Sequence, residues 1–314
     1  MTKLKGILLT QGMHGMISQV EGLAKALDID FIHHTVELNN FWKVIPPKLT
    51  PISGSVYKKV DHSDFDVIIS CGRKSVIPSI HLKNSSNKKV FNIHIQDPKV
   101  NLSHFDFIVA PEHDSINGVN VISTKGAIHY LTENEINKNK DYLNSFIKKD
   151  ERKIWTLVMG GPTKHYEYSS ENIRGIFENL SNLNKDNNFQ LVVIPSMRTP
   201  KNIIQYAKDY FSENHTVIEN VNKKAYLSAL AISEKIVVTC DSSSMISEAA
   251  LTGKPIYVAN ISPKRNDKRF KKFRNLFRKL NIIRNLGEEV KIWNYQKLDE
   301  TNRVANIIKK KIKY

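Results

Sequence analysis

A chain of 314 residues with 40% apolar content can fill two hydrophobic cores, which excludes both a disordered protein and a minimal disulfide-stapled one. The 47 Lys and Arg against 31 Asp and Glu leave a net charge of +16; this suits acidic partners such as nucleotide phosphates or an anionic membrane face, but Lys, Asn and Ile abound throughout, so the charge alone names no partner. Two cysteines, Cys71 and Cys240, end apolar runs and read as small core residues; no run approaches the roughly 20 apolar residues of a membrane span, and "GILL" is too short for a signal-peptide core, so a cytoplasmic location is expected.

The chain alternates apolar runs with helical periodicity. "LKGILLT" reads as a strand and "MISQVEGLAKAL" as the helix after it. The loop between them, "TQGMHGM", has Gly12 and Gly15 for close approach of a ligand, but it lacks the G-x-G-x-x-G spacing of an NAD fold. "DID" and "DFD" look like metal-binding pairs, yet both precede strands and read as surface turns. "FDVIIS" is a strand with a helix, "GRKSVIPSIHL", after it, and "KKVFNIHI" and "FDFIVAP" are two more strands. The turns that follow them, "HIQDPK" and "APEHD", gather Gln96, Asp97, Glu112, His113 and Asp114 on one wall of a cleft, where a carboxylate or a His supplies a general base; turn and capping chemistry is the competing reading of each. "TENEINKNKDYLNSFIKKDERK" reads as a polar helix and linker without a core, which sets a boundary near Asp150.

The alternation then restarts. "KIWTLVMGG", "FQLVVIP", "HTVIE", "KIVVT" and "PIYVANI" read as strands, with helices between them. The expected architecture is α/β: two doubly wound Rossmann-like domains, 1–150 and 151–297, facing each other across a cleft. A last helix within 298–314 either closes the second domain or crosses back to the first.

Three loops after strands of the second half suit phosphate. "MGGPTKHY" offers Gly160 and Gly161 for close backbone approach and Lys164 for charge, although a plain Gly-Pro turn reads equally well. "PSMRTPK" offers Ser196, Arg198 and Thr199. "CDSSSMISEAALTGKPIYV" crowds Asp241, Ser242, Ser243 and Ser244, with Met245 behind them, where a strand hands over to a helix of about a dozen residues. The unpaired N–H groups and positive dipole end of such a helix attract anions. Glu248 lies one turn further on the face of Ser244, about 6 Å along the axis, where a carboxylate can accept both hydroxyls of a ribose diol. An ordinary N-cap needs one such residue rather than four.

"DKRFKKFRNLFRKL" (267–280) aligns Phe270, Phe273, Phe277 and Leu280 in a stripe framed by Lys and Arg. It reads first as a core helix with a basic outer face, and second as a helix resting on an anionic membrane. The eleven His show no zinc spacing, and no nucleic-acid motif is present, so neither metal nor nucleic acid is expected.

The Ser-rich loop with Glu248 resembles the donor site of GT-B glycosyltransferases, above all the N-acetylglucosaminyltransferase of the peptidoglycan lipid intermediate. The segments "CGRKSVIPS", "IQDPKV", "FDFIVAPEHD", "NVISTKGAIH", "GGPTKHY", "RTP", "DSSSMISEAALTGKPIYV" and "RFKKF" resemble, over nearly the whole chain, the mitochondrial-fission "elongated mitochondria" family and its bacterial homologues. The resemblance implies a metal-independent glycosyltransferase with no resident cofactor. Its co-substrate is a nucleotide diphosphate sugar, and its acceptor a glycan or lipid-linked molecule, reached from the cytoplasm or the inner face of the plasma membrane. His14, Asp97 and Glu112 are then the catalytic candidates. The family's first loop usually carries Asp-Gly where this chain has Gln11-Gly12, so His14 is the candidate substitute for an acidic base. The alternatives are a non-catalytic adaptor acting at membranes, which never releases nucleoside diphosphate, and an epimerase, which converts nucleotide sugars without an acceptor.

Overall fold

The computed structural model describes residues 3–60, 64–211 and 214–312. The chain divides into two compact units: Met1–Tyr130 together with Asp299–Tyr314, and Leu131–Leu298.

The first unit is built on a parallel sheet of β1 (Lys5–Thr10), β2 (Asp30–Thr35), β3 (Val67–Cys71), β4 (Phe91–Ile95), β5 (Phe107–Pro111) and β6 (Val121–Thr124), in the order β2-β1-β3-β4-β5-β6. β1 and β3 are buried along nearly their whole length, as strands covered on both faces must be, and this is why they read as continuous apolar runs. Helices α1 (His14–Ala26) and α2 (Val76–Asn84) provide cover. Val20, Leu23 and Ala24 of α1 pack with Leu8, Ile69 and Ile93 in one core, while Val76, Ile77 and Ile80 of α2 pack with Ile7, Leu9 and Ile68 in a second. The aspartates of "DID" and "DFD" serve as surface ion partners: Asp28 and Asp30 meet Lys3, Asp64 meets Lys5 and Lys88, and Asp66 meets Lys88.

The second unit holds β7 (Lys153–Met159), β8 (Phe189–Pro195), β9 (Thr216–Val217), β10 (Lys235–Thr239), β11 (Ile256–Ala259) and β12 (Ile283–Asn285), in the order β12-β11-β10-β7-β8-β9, again parallel. Its helices are α3 (Glu133–Lys138), α4 (Ser170–Asn187), α5 (Lys201–Phe211), α6 (Lys223–Ile232), α7 (Ser243–Ala250) and α8 (Lys268–Lys279). From β7 the chain winds outward through β8 and β9, then returns to β7's other side at β10 and winds outward the other way. β7 and β10 therefore flank the topological switch point, where open α/β sheets take their ligands.

Two sequence expectations change, the 131–150 linker and the length of α7, and two open readings are decided, the last helix and the stripe of α8. The stretch 131–150 belongs to the second unit, because it does contribute core: Ile136 is buried, and Leu143 packs with Val192, Ile194 and Ala229 while its N–H bonds Ser228 Oγ at 3.1 Å. The last helix, α9 (Glu300–Lys311), packs in the first unit: Val304, Ala305 and Ile308 join the core of α1, and Thr301 Oγ1 accepts from His129 N and donates to His129 O. α7 has 8 residues rather than about a dozen, and left-handed Gly253 follows its end by three residues.

The aromatic stripe of α8 faces the core, as its first reading has it. Phe273 and Phe277 are fully buried and Phe270 is half-buried, edge-on to Tyr166, so the second reading of that helix loses the apolar face it needs. Phe273→Asp is expected to destabilise the second unit by about 4 kcal/mol or more, because it places a carboxylate among packed rings. Denaturant unfolding checks this, and a change below about 1 kcal/mol would place the ring outside the core.

Candidate functional site

Three loops meet at the carboxyl ends of β7, β8 and β10, adjacent strands at the switch point. They are tied together by one buried carboxylate, Asp241. Its Oδ1 accepts from Tyr168 OH at 3.0 Å and Thr239 Oγ1 at 2.7 Å; its Oδ2 accepts from Gly161 N at 3.1 Å and Arg198 Nη2 at 2.8 Å. Tyr168 OH also reaches Thr239 Oγ1 at 2.7 Å, and that hydroxyl oxygen accepts from Gly160 N at 2.8 Å. Arg198 Nη1 donates to Gly161 O at 3.0 Å. Ser196 Oγ donates to Gly160 O at 3.1 Å and Thr199 Oγ1 to Met159 O at 3.1 Å, joining the end of β8 to the end of β7.

This network explains the glycine pair. A Cβ on Gly160 would lie 2.1 Å from Asp241 Oδ2, and one on Gly161 would lie 2.0 Å from the backbone oxygen of Arg198. The close approach that sequence reading assigned to a phosphate is made by the neighbouring loops themselves. Asp241 likewise turns inward as a tie between loops, and Arg198, half-exposed, is pinned by it. Lys164 is exposed and forms no ion pair among the described residues.

What faces outward is the start of α7. Ser242 is its N-cap, accepting from Met245 N at 3.3 Å. Ser243 and Ser244 are partly exposed, and their backbone N–H groups and hydroxyls have no intramolecular partner among the described residues. Two N–H donors at the positive end of a helix and two adjacent hydroxyls form a cradle for an anion. Met245, third in α7, is partly exposed as well.

One turn along α7, Glu248 Oε2 accepts from Tyr226 OH of α6 at 2.7 Å. Among the described residues, no second hydrogen bond or ion pair engages this carboxylate. Burial pushes it up to about 7, against the opposing effect of the Tyr226 hydrogen bond. Its residue keeps a partial exposure, so it is a largely desolvated acid at an edge that a ligand can reach.

The candidates of the first unit lie along the carboxyl edge of its sheet without forming a cluster. His14 opens α1, exposed, edge-on to Tyr130 with ring centroids 6.3 Å apart. Gly12 is left-handed, with φ 79°, and its N–H bonds Thr10 Oγ1 at 3.0 Å; a Cβ on Gly15 would meet nothing within 4 Å. Gln96, at φ 84°, continues the ladder to Val109 O at 2.8 Å. Asp97 closes its own turn, accepting from Lys99 N at 2.9 Å and pairing with the Lys99 ammonium. Glu112 is exposed at the head of a short turn in which His113 Nε2 and Asp114 Oδ1 stand 3.7 Å apart with both side chains nearly buried. No hydrogen bond joins His14, Asp97 and Glu112 to one another. Strands β1 and β4 have β3 between them, so the first two groups emerge about 10 Å apart.

Tyr168, Thr239 and Tyr226 escaped the sequence reading. Thr239 ends its strand one residue before Cys240, a position that could have been read. The two tyrosines come from other elements, and nothing local marks them.

Among the described residues, no group of three or more His, Cys, Asp or Glu could hold a metal ion, and no helix is long and apolar enough to cross a membrane.

The sequence profile of the family described as Mitochondrial fission ELM1 matches residues 14–312. The chain is 22% identical over 274 residues to the mitochondrial fission protein ELM1 of Arabidopsis thaliana, covering 78% of this chain and 64% of that protein's length. It is 26% identical over 302 residues to an uncharacterized protein of Rickettsia prowazekii, with 80% of each covered. Solved structures share the fold at low identity. One is the glycotransferase of kitacinnamycin, with TM-score 0.57, 10% identity and all of both chains covered. Another is the UDP-GlcNAc 2-epimerase of Neisseria meningitidis bound to UDP-GlcNAc, with TM-score 0.55, 15% identity and 98% and 99% covered. A third is MurG of Acinetobacter baumannii, with TM-score 0.51, 8% identity and 98% and 90% covered. The two Rossmann-like units thus share the fold of GT-B glycosyltransferases and UDP-GlcNAc 2-epimerases.

Proposed function

The chain belongs to the mitochondrial fission ELM1 family, and from that premise we propose that its second unit binds a nucleoside-diphosphate sugar whose sugar the protein transfers to a glycan or lipid-linked acceptor. The observation that carries this reading is the pairing on α7 of an unpartnered donor cradle, Ser243 and Ser244, with a half-engaged carboxylate, Glu248, one turn away. The diphosphate takes the cradle, and the leaving diphosphate is stabilised there by fixed N–H dipoles. The free oxygen of Glu248 accepts from the ribose diol, and Tyr226 holds the carboxylate in place. The fold is supportive as well, since a structural neighbour was solved with UDP-GlcNAc.

His14 is the candidate base for the acceptor hydroxyl, being the exposed imidazole at the first loop. Its Ala variant is expected to lower turnover while leaving donor affinity unchanged.

Glu248 gives this reading a signature in stability. Its folded carboxyl titrates near 7 against an ordinary 4.5, so the native state holds a proton that the unfolded chain has released. Stability therefore falls as pH rises from about 4.5 to 7, and the full penalty, on the order of 3 kcal/mol, persists above that window. Glu248→Gln is expected to recover this amount at pH 8 and almost none at pH 4, while weakening nucleotide-sugar binding about tenfold or more. Thermal unfolding at both pH values checks the first part; a Gln variant no more stable at pH 8 would place the carboxylate in water.

An adaptor reading is favoured by one observation, the separation of His14, Asp97 and Glu112. Release of nucleoside diphosphate from a sugar donor distinguishes the two: an adaptor binds and never releases it, and an epimerase converts the sugar with no acceptor present.

A further inference from the structure

Residues 38–60 of the first unit contain no Asp or Glu, and between them the chain forms three short turns, Asn40–Lys43, Pro47–Leu49 and Gly54–Val56. The segment is firmly anchored. Leu38, Val56 and Tyr57 are buried in the core with α2, Pro47 is buried, and Leu38 and Tyr57 pair as an antiparallel bridge. Asn39 Nδ2 donates to Ser55 O at 2.6 Å, and the Arg73 guanidinium donates to the carbonyls of Lys43 and Ile45. Yet between the anchors Phe41, Val44 and Leu49 are 66%, 76% and 72% exposed, with Ile52 exposed beside them. Lys43 and Lys48 are interleaved with these apolar tips, and Arg73 and Lys74 line the hollow beneath Ile45 and Pro47.

Apolar side chains held outward on a proline-braced, well-bonded segment are not loose core; they mark a contact surface. The segment offers neither a strand edge nor a helix face for a peptide partner. Its composition of aromatic and aliphatic tips, lysines whose stems can lie along them, and no acid over the whole stretch fits the interface of an anionic bilayer. Trp42, edge-on to Phe41 with ring centroids 4.8 Å apart, is the side chain that settles at the level of lipid headgroups.

We propose that residues 41–52 form a membrane-contact loop that dips Phe41, Val44 and Leu49 into the boundary layer of an anionic phospholipid bilayer. The proposal does not rest on the nucleotide-sugar reading. It also differs from contact through α8, whose Phe273 and Phe277 are buried.

The probe is the full chain mixed with phosphatidylcholine vesicles, with and without phosphatidylglycerol, some carrying brominated acyl chains. The other two tryptophans, Trp155 and Trp293, are buried in the second unit, so acyl-chain quenching reports on Trp42. Binding that requires phosphatidylglycerol, with Trp42 quenched, is expected. Phe41→Ser with Leu49→Ser should weaken it on the order of 30-fold, and Lys43→Gln with Lys48→Gln about 5-fold for each lysine, both with unchanged thermal unfolding. Binding without quenching of Trp42 would place the contact elsewhere, as on the basic face of α8, and would overturn the proposal. So would vesicle binding indifferent to the Phe41 and Leu49 substitutions, or no vesicle binding at all.

Discussion

Gly161→Ala is expected to destabilise the second unit by about 2–4 kcal/mol and to abolish nucleotide-sugar binding. The added Cβ would stand 2.0 Å from the backbone oxygen of Arg198, and a backbone atom cannot swing aside as a side-chain tip can. The Arg198 loop has to move, which breaks the bonds of Arg198 to Gly161 O and Asp241. At roughly 2–4 °C per kcal/mol for a unit of this size, the midpoint falls by about 5–15 °C. Gly175→Ala is the control: a Cβ there, within α4, meets nothing within 4 Å, and the helix should gain up to about 1 kcal/mol. If both substitutions behave alike, the loops are not packed as described.

Asp241→Asn is the second large effect, again about 2–4 kcal/mol. The carboxylate, with its side chain fully buried, accepts from four donors on four separate residues. An amide of the same size offers one oxygen, turns an NH2 group toward donors, and leaves the Arg198 charge unbalanced. Arg198 is partly solvated, which keeps the effect below that of a fully buried pair. Unfolding by urea measures it. A loss under about 1 kcal/mol would mean that the four bonds do not form together.

These effects show where sequence reading succeeded and where it stopped. β1, β3, β7, β8 and β10 were legible because strands buried on both faces are mostly apolar, with a single buried Ser70, Thr156 or Gln190 inside β3, β7 and β8. β2 was harder, since this edge strand puts His33, His34 and Thr35 in a half-exposed row, and β6 and β12 are too short for a pattern. The site loops were legible because each directly follows a strand. Their chemistry was only partly so. Nothing in "CDSSS" tells that Asp241 turns inward to Tyr168 and Gly161, residues more than 70 positions away, while Ser243 and Ser244 stay open. Tyr226 reaches Glu248 from another helix, α6, 22 positions earlier in the chain. The stripe of α8 was visible by its period, but a period does not say whether its partner is protein or lipid. The loop 41–52 has no period at all, and only its exposure reveals it.

The central claim is a nucleotide-sugar site on α7, and the most direct test is ligand-observed NMR with a panel of uridine, guanosine, cytidine and thymidine diphosphate sugars, run on the native chain and on Glu248→Gln. Binding of one base class to the native chain, and its loss in a variant that is at least as stable at pH 8, is the result expected. No binding to any of them by a folded native chain would contradict the account and reduce the serines of α7 to a helix cap.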